Sequence, residues 1–157
     1  SLLRHPLAVS SLEELAEGVF YNVIDEIDKL DTPKVDRVVM CSGKVYYDLL
    51  EQRRENKLNN VAVVRIEQLY PFPSQELAVV AVKYAHVKDW VWCQEEPQNQ
   101  GAWYSSQHHF RQSIPTGATL TYTGRDASAS PAVGYISVHN QQQKTLVEDA
   151  LTIKQGT

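Results

Sequence analysis

Apolar residues along the chain recur with two spacings, and these spacings predict alternating strands and helices. Three short runs are apolar almost throughout, as expected of parallel strands covered on both faces. They cover 37–41, 61–66 and 86–93, and a β-branched run at 119–123 predicts a fourth strand. Apolar residues spaced by three and four predict helices over 45–56, 74–84, 102–114 and 138–151. Together these units predict an α/β fold, a mainly parallel twisted sheet with helices on both faces.

The amino-terminal part of the chain carries a helical pattern preceded by a connector. Apolar residues at helical spacing predict a helix from Leu12 to Leu30, capped by Ser10 or Ser11. The preceding LLRHPLA is typical of an extended connector, and the sequence has no initiator Met. We therefore expect a piece of a longer polypeptide, with a linker over 1–11 from upstream domains and one domain over 12–157.

Composition excludes several classes of function. The hydrophobic share is 43%, the charged share is 22% and the net charge is −4, as in an ordinary globular domain without a basic field for nucleic acid or anionic lipid. The apolar runs are too short to span a bilayer. Cys41 and Cys93 both end apolar strands, which favours buried thiols in a reducing cytoplasm over a disulfide or a catalytic nucleophile.

The stretch VWCQEEPQNQGAW (91–103) runs from a predicted strand into paired carboxylates and an amide-rich turn. Ligands and partners of α/β domains usually bind at such a strand end. Because Glu95 and Glu96 are neighbours on an extended chain, they point to opposite sides and cannot share one acid–base centre. We predict domain or dimer contacts here rather than catalysis. The predicted contact residues are Glu95, Glu96, Gln100, Gly101 and Trp103.

Other polar groups suggest chemistry less strongly. Ser42-Gly43-Lys44 joins a strand to a helix and could hold an anion, although a tight turn capped by Ser42 is the favoured interpretation. His108 and His109 lack the spacing of zinc ligands, so we expect one to pack and the other to be exposed. A small hydrolase that uses Cys93 with Glu95 is the weakest alternative, because no base can be traced.

Four long motifs carry a family resemblance. They are RVVMCSGKVYYDLLEQRR (37–54), VAVVRIEQLYPFP (61–73), WCQEEPQNQGAW (92–103) and GRDASASPAVGYISVHNQQQ (124–143). In this order and spacing they closely resemble the carboxyl-terminal region of the E1 component of the 2-oxoglutarate dehydrogenase complex. The connector LLRHPLAVSSLEEL (2–15) fits the linker that enters that region. The resemblance is greatest to proteobacterial members.

The resemblance implies a fold of the transketolase C-terminal type, in which one strand of the sheet can be antiparallel. It implies that the full enzyme is a cytoplasmic homodimer that oxidatively decarboxylates 2-oxoglutarate on thiamine diphosphate and succinylates the lipoyl group of the E2 component. Thiamine diphosphate and magnesium are bound by upstream domains in this family. We therefore expect no cofactor, no metal and no catalytic residue in this piece, which alone would be inactive.

The resemblance also implies partners. These are the upstream E1 domains, the second E1 subunit and the E2 succinyltransferase, with no nucleic acid and no membrane. In some bacterial relatives this region contributes to an effector site for acyl-CoA or nucleotide such as AMP, for which Arg4, Ser42 and Lys44 are the candidates here. The alternative function is a stand-alone adenine-nucleotide or acyl-CoA-binding module that uses the same turn.

Overall fold

Within the residues described, a five-stranded sheet runs through the middle of the chain and helices pack on it. The computed structural model describes Gly18 and residues 20–129 and 136–153. The strands are β1 (Val23–Ile24), β2 (Arg37–Cys41), β3 (Val61–Ile66), β4 (Asp89–Pro97) and β5 (Thr119–Arg125). The helices are α1 (Val45–Glu55), α2 (Ser74–Lys83), α3 (Trp103–Ser113) and α4 (Ile136–Leu151), with a 3-10 turn at Thr32–Lys34.

The sheet is parallel except at one edge. Its strand order is β1-β3-β2-β4-β5. Strands β3, β2, β4 and β5 are parallel, whereas β1 pairs with β3 in the antiparallel direction. The mainly parallel α/β fold predicted from the sequence is confirmed, and the one antiparallel strand that the resemblance allows is β1. Because the long strands are parallel, their carboxyl ends meet at one edge of the sheet.

Alternate residues of the central strands feed two apolar cores. Val38 and Met40 face α2 and α3, together with Trp90 and Trp92. Their neighbours along the same strands, such as Val39 and Cys41, face α1 and α4. Side chains of a strand point alternately to the two faces, so continuous apolar runs are what a sheet covered on both sides requires. The result is three layers, helix–sheet–helix.

The predicted helix over 12–30 is wrong across residues 20–30, and residues 12–17 lie outside the described part. The chain there is extended, and Phe20 and Ile27 are exposed. Acidic side chains bond to neighbouring backbone N–H groups: Glu26 N donates to Asp25 Oδ1, and Asp28 N donates to Glu26 Oε1. Such local bonds compete with a helix, and pairing of β1 with β3 supplies backbone partners instead.

The predicted helix cap at Ser42 is also corrected. The residue before α1 is Lys44 and the residue before α2 is Pro73, and neither helix start has a side-chain capping bond. Ser42 therefore lies in the turn before α1, and Ser74 is the first residue of α2. The third predicted strand is shifted as well, since β4 begins at Asp89 and continues to Pro97. Its extension draws Gln94, Glu95 and Glu96 into the sheet.

Candidate functional site at the carboxyl edge of the sheet

The carboxyl ends of β2, β4 and β5 bring the residues singled out from the sequence to one edge. Cys41 lies beside Cys93, which lies beside Thr123. The residues that follow these three positions therefore share one end of the sheet. In parallel α/β domains this end is where ligands and partners are usually met.

A buried glutamine, Gln94, organises the end of β4. Its side-chain carbonyl accepts hydrogen bonds from the Trp92 indole N–H at 2.8 Å and from the backbone N–H of Trp103 at 3.1 Å. Its amide nitrogen donates to the carbonyls of Glu96 and Pro97, both at 3.2 Å. A buried amide is costly unless its groups are bonded, and these four bonds satisfy it. Sequence analysis missed this residue, although a lone amide at the end of an apolar strand is a detectable pattern.

Gly101 lies against the side chain of Gln94. A Cβ added at Gly101 would lie 2.2 Å from the Gln94 amide nitrogen, which is far inside van der Waals contact. The close approach seen at Gly101 is made within this chain, and the predicted domain or dimer contact at Gly101 stays a prediction.

Trp103 is likewise part of this chain's own core. Its side chain is 6% exposed and lies 5.4 Å from the Tyr122 ring, measured between ring centroids. Trp103 thus packs within this chain, and the predicted domain or dimer contact at Trp103 stays a prediction.

Glu95 and Glu96 face different surroundings, as predicted. Glu95 Oε1 accepts a hydrogen bond from the Gln143 amide of α4 at 2.9 Å and lies 3.9 Å from Lys44 Nζ. Burial raises the pKa of the Glu95 carboxyl, and the Lys44 charge opposes part of that shift. Glu96 is exposed. The two carboxylates do not converge on one point.

Lys44 is already engaged by carboxylates. Its ammonium group lies 3.0 Å from Asp48 Oδ2, and the Gln143 amide that bonds to Glu95 also donates to Asp48 Oδ2 at 2.8 Å. An anion would have to compete with these groups for Lys44. Arg4 lies outside the described residues, so the predicted effector site at Arg4, Ser42 and Lys44 stays a prediction.

The amide turn after β4 is fastened to the segment after β5. Asn99 Nδ2 and Gln100 Nε2 donate to the Ser128 carbonyl at 3.0 and 2.7 Å. The Ser128 N–H donates in return to Asn99 Oδ1 at 3.0 Å. Glu96, Asn99 and Gln100 are exposed. We call these three residues the edge loop; they form one outward polar surface.

The groups that could have served catalysis are placed unfavourably. Cys41 and Cys93 are fully buried, and burial raises the pKa of both thiols, which disfavours the reactive thiolate. This opposes a hydrolase based on Cys93.

The histidine side chains lie as predicted. His109 stacks on Phe72, with 4.7 Å between the ring centroids, while His108 is exposed. Among the described residues, no group of three His, Cys, Asp or Glu side chains could hold a metal ion.

A cleft of about 780 Å³ lies beside β5, and Gln98 of the turn after β4 is among the residues that line it. Thr119, Thr121 and Thr123 line it, and its cationic groups are Arg37 and Lys88. The Arg37 guanidinium is already bound to Asp89 at 2.7 Å. Two more carboxylates, Asp126 and Asp149, also line the cleft. This balance of charge does not favour a phosphate-bearing ligand.

Fold and site together define a class: a three-layer α/β domain whose strand-end groups bond mainly to one another. No helix in the described residues is long and apolar enough to cross a membrane. A family model described as "2-oxoglutarate dehydrogenase C-terminal" matches residues 9–151. The chain belongs to this family.

Curated relatives agree with the family match. The chain is 66% identical to the 2-oxoglutarate dehydrogenase E1 component of Haemophilus influenzae, over 97% of this chain and 16% of that protein. It is 56% identical to the E1 component of Azotobacter vinelandii, over 98% of this chain and 16% of that protein. The chain thus spans about a sixth of the length of the relatives it matches.

A solved structure is also similar. It is a split gene transketolase, described as an inactive beta4 tetramer, with a TM-score of 0.49 and 16% identity over 76% of this chain and 40% of that chain.

Proposed function

We propose that this chain is the assembly domain of a 2-oxoglutarate dehydrogenase E1 component. In this proposal the full-length enzyme oxidatively decarboxylates 2-oxoglutarate on thiamine diphosphate and passes the succinyl group to the lipoyl arm of E2. The family match and the E1 relatives, of which the chain covers 16 to 17%, support the assignment to this enzyme.

An assembly role is supported by one observation: the polar side chains of the candidate site bond mainly to other groups within this chain. Gln94 has four partners within the chain, and Lys44 and Glu95 belong to one bonded cluster. A catalytic site needs groups poised to change partners during reaction. Here the strand-end groups instead hold the loops in place, which is what a rigid contact surface needs.

The described residues do not fit the cofactor of the proposed enzyme. A magnesium–diphosphate site needs several oxygen ligands around the metal, and no group of three candidate side chains occurs among the described residues. We therefore assign the thiamine diphosphate and magnesium sites to upstream domains and derive no chemical step from this chain.

The edge loop is the proposed contact surface for those upstream domains. Glu96, Asn99 and Gln100 are exposed at the edge of the sheet where partners are met, and the Ser128 bonds fix the shape of the turn. Fixing a loop before binding lowers the entropy cost of forming an interface.

A turnover assay tests the proposed division of labour. The chain alone, supplied with thiamine diphosphate and magnesium, should not decarboxylate 2-oxoglutarate, whereas full-length E1 should. Turnover by the chain alone would overturn the assembly role.

The contact surface is tested in full-length E1 with the double variant Asn99→Ala, Gln100→Ala. Removing both amides should lower activity and weaken subunit association, measured by sedimentation velocity. Asn59→Ala is the matched control, because Asn59 is exposed in the α1–β3 loop and should have no effect. Wild-type association and activity in the double variant would reject the edge loop as a contact.

A further inference from the structure

Helix α2 is apolar on both of its faces. Leu77, Val80 and Ala81 point inward and are buried against the sheet. Ala78, Val79 and Val82 form a second row, which we call the outer stripe, and all three are exposed. The exposed fractions of Val79 and Val82 are 72% and 75%. A helix that is hydrophobic all round is typically buried all round.

The outer stripe differs from the exposed surface of α1. The outer side of α1 carries Glu51, Arg54 and Glu55, the solvated pattern expected of a surface helix. Valine has a lower helix propensity than such charged residues because its branched side chain loses χ1 freedom. Among the described residues, the exposed valines of the outer stripe weaken the helix without a compensating contact. A covering partner would supply that contact.

The chain enters the fold beside the outer stripe. Asn22 Nδ2 donates to Glu76 Oε1 at 2.9 Å, and Lys83 Nζ lies 2.7 Å from Asp25 Oδ2. Val79 lies between Glu76 and Lys83 at helical spacings of three and four, on one side of the helix. The segment from Asn22 to Asp25 thus lies alongside α2. Phe20 and Tyr21, just before this point, are 69% and 55% exposed.

We infer that the upstream part of the same E1 polypeptide packs over the outer stripe of α2, together with Phe20 and Tyr21. This inference rests on the proposed function, because it takes the chain to be one part of E1. The matched relatives contain about five-sixths of their length outside the region aligned here. The stripe carries no charge, as is usual in the core of a permanent interface. Its position beside the entering chain favours the same polypeptide over a separate protein.

Photocrosslinking in full-length E1 identifies what covers the stripe. Benzoylphenylalanine is placed at position 79 (Val79→benzoylphenylalanine), and the crosslinked peptide is sequenced by mass spectrometry. We expect a peptide from upstream of this chain. Mixed ¹⁴N- and ¹⁵N-labelled subunits should show that both crosslinked peptides carry one isotope. A crosslink to residues 20–153 of a second subunit, a mixed-isotope crosslink, a crosslink to E2 or no crosslink would each overturn the inference.

Thiol labelling gives an independent readout. In full-length E1, Val82→Cys should react with a charged maleimide at least about tenfold more slowly than Val138→Cys, because reaction requires local opening of a covered site. Val138 is the matched control, a 43% exposed valine on α4. Cys41 and Cys93 are buried, and the unsubstituted full-length enzyme gives the background from all other thiols. Equal rates at the two positions would mean that the stripe is open.

The two kinds of experiment distinguish failure of the α2 interface from failure of the proposed assembly role. Turnover by the isolated chain would reject the assembly role whatever crosslinks are found. An inactive isolated chain with an open, uncrosslinked stripe would reject only the interface on α2.

Discussion

Gln94 shows how one residue can fix the geometry of the whole carboxyl edge. Its side chain joins β4, the following turn and the start of α3 through four hydrogen bonds. Gly101 provides the space for that side chain. The backbone N–H of Trp103 donates a hydrogen bond to the Gln94 side-chain carbonyl and so fixes the start of α3. Gly101 and Trp103, two of the five predicted contact residues, thus serve local packing in this chain.

Substitution of Gly101 tests this local role. Gly101→Ala should lower the free energy of unfolding by about 1–3 kcal/mol, because its methyl group would overlap the Gln94 amide. Denaturant unfolding measures the change. In a Gln94→Ala background the same substitution should cost much less, since the obstructing side chain is gone. An equal cost in both backgrounds would contradict the proposed steric conflict.

Glu95 gives a prediction for pH. Burial raises the pKa of its carboxyl in the folded chain, so the folded state binds this proton more tightly than the unfolded state does. The Glu95 contribution to stability therefore rises as pH falls through the folded pKa and is lost at neutral pH. Glu95→Gln should stabilise the chain at pH 7, and this gain should shrink on acidification below the carboxyl pKa. A gain that is constant from pH 7 to pH 4 would contradict this account.

Among the elements, the prediction was correct for strands that are apolar along their whole length. The runs 37–41 and 61–66 are β2 and β3 with the predicted bounds, because four or five buried apolar residues in succession fit only a covered strand. Residues 20–30 carried a helical spacing that the structure does not use. Their extended form depends on bonds to distant residues, such as those of Glu26 with Arg53 and the Val63 N–H. Local spacing does not encode those bonds.

The pair formed by Arg53 and Glu26 therefore anchors the segment after β1. Both side chains are 2% exposed, and their charged atoms are 2.9 Å apart. Arg53→Met should destabilise the chain by about 3–5 kcal/mol, because it leaves a buried carboxylate without its partner. Denaturant unfolding measures the loss. Arg54→Met is the control, since Arg54 pairs with Asp28 at the surface and should cost no more than about 1 kcal/mol. Similar costs at both positions would show that Arg53 does not anchor this segment.

The candidate site was less predictable than the fold. The sequence correctly indicated that Glu95 and Glu96 diverge, because side chains alternate along a strand. It also correctly indicated that Cys93 is buried, because Cys93 ends an apolar run. It did not indicate that Gly101 and Trp103 turn inward. Their orientation depends on the side chain of Gln94, a contact between residues seven and nine positions apart that no helix or strand period connects.

At the scale of the whole molecule, two apolar cores close the sheet on both faces, yet α2 keeps a second apolar face open. The edge loop is fixed in shape by its bonds to Ser128. The strand-end side chains next to it, Gln94 and Glu95, are bonded within the chain. A domain of this kind is expected to stabilise larger neighbours. This agrees with a chain that spans 16% of the E1 relatives it matches.

In the proposed function, this region holds full-length E1 together and supplies no catalytic group. Sedimentation velocity of full-length E1 truncated before the position of Phe20 tests this role most directly. We predict loss of subunit association and with it loss of 2-oxoglutarate decarboxylation. A truncated enzyme whose subunits remain associated and that retains wild-type activity would contradict the account.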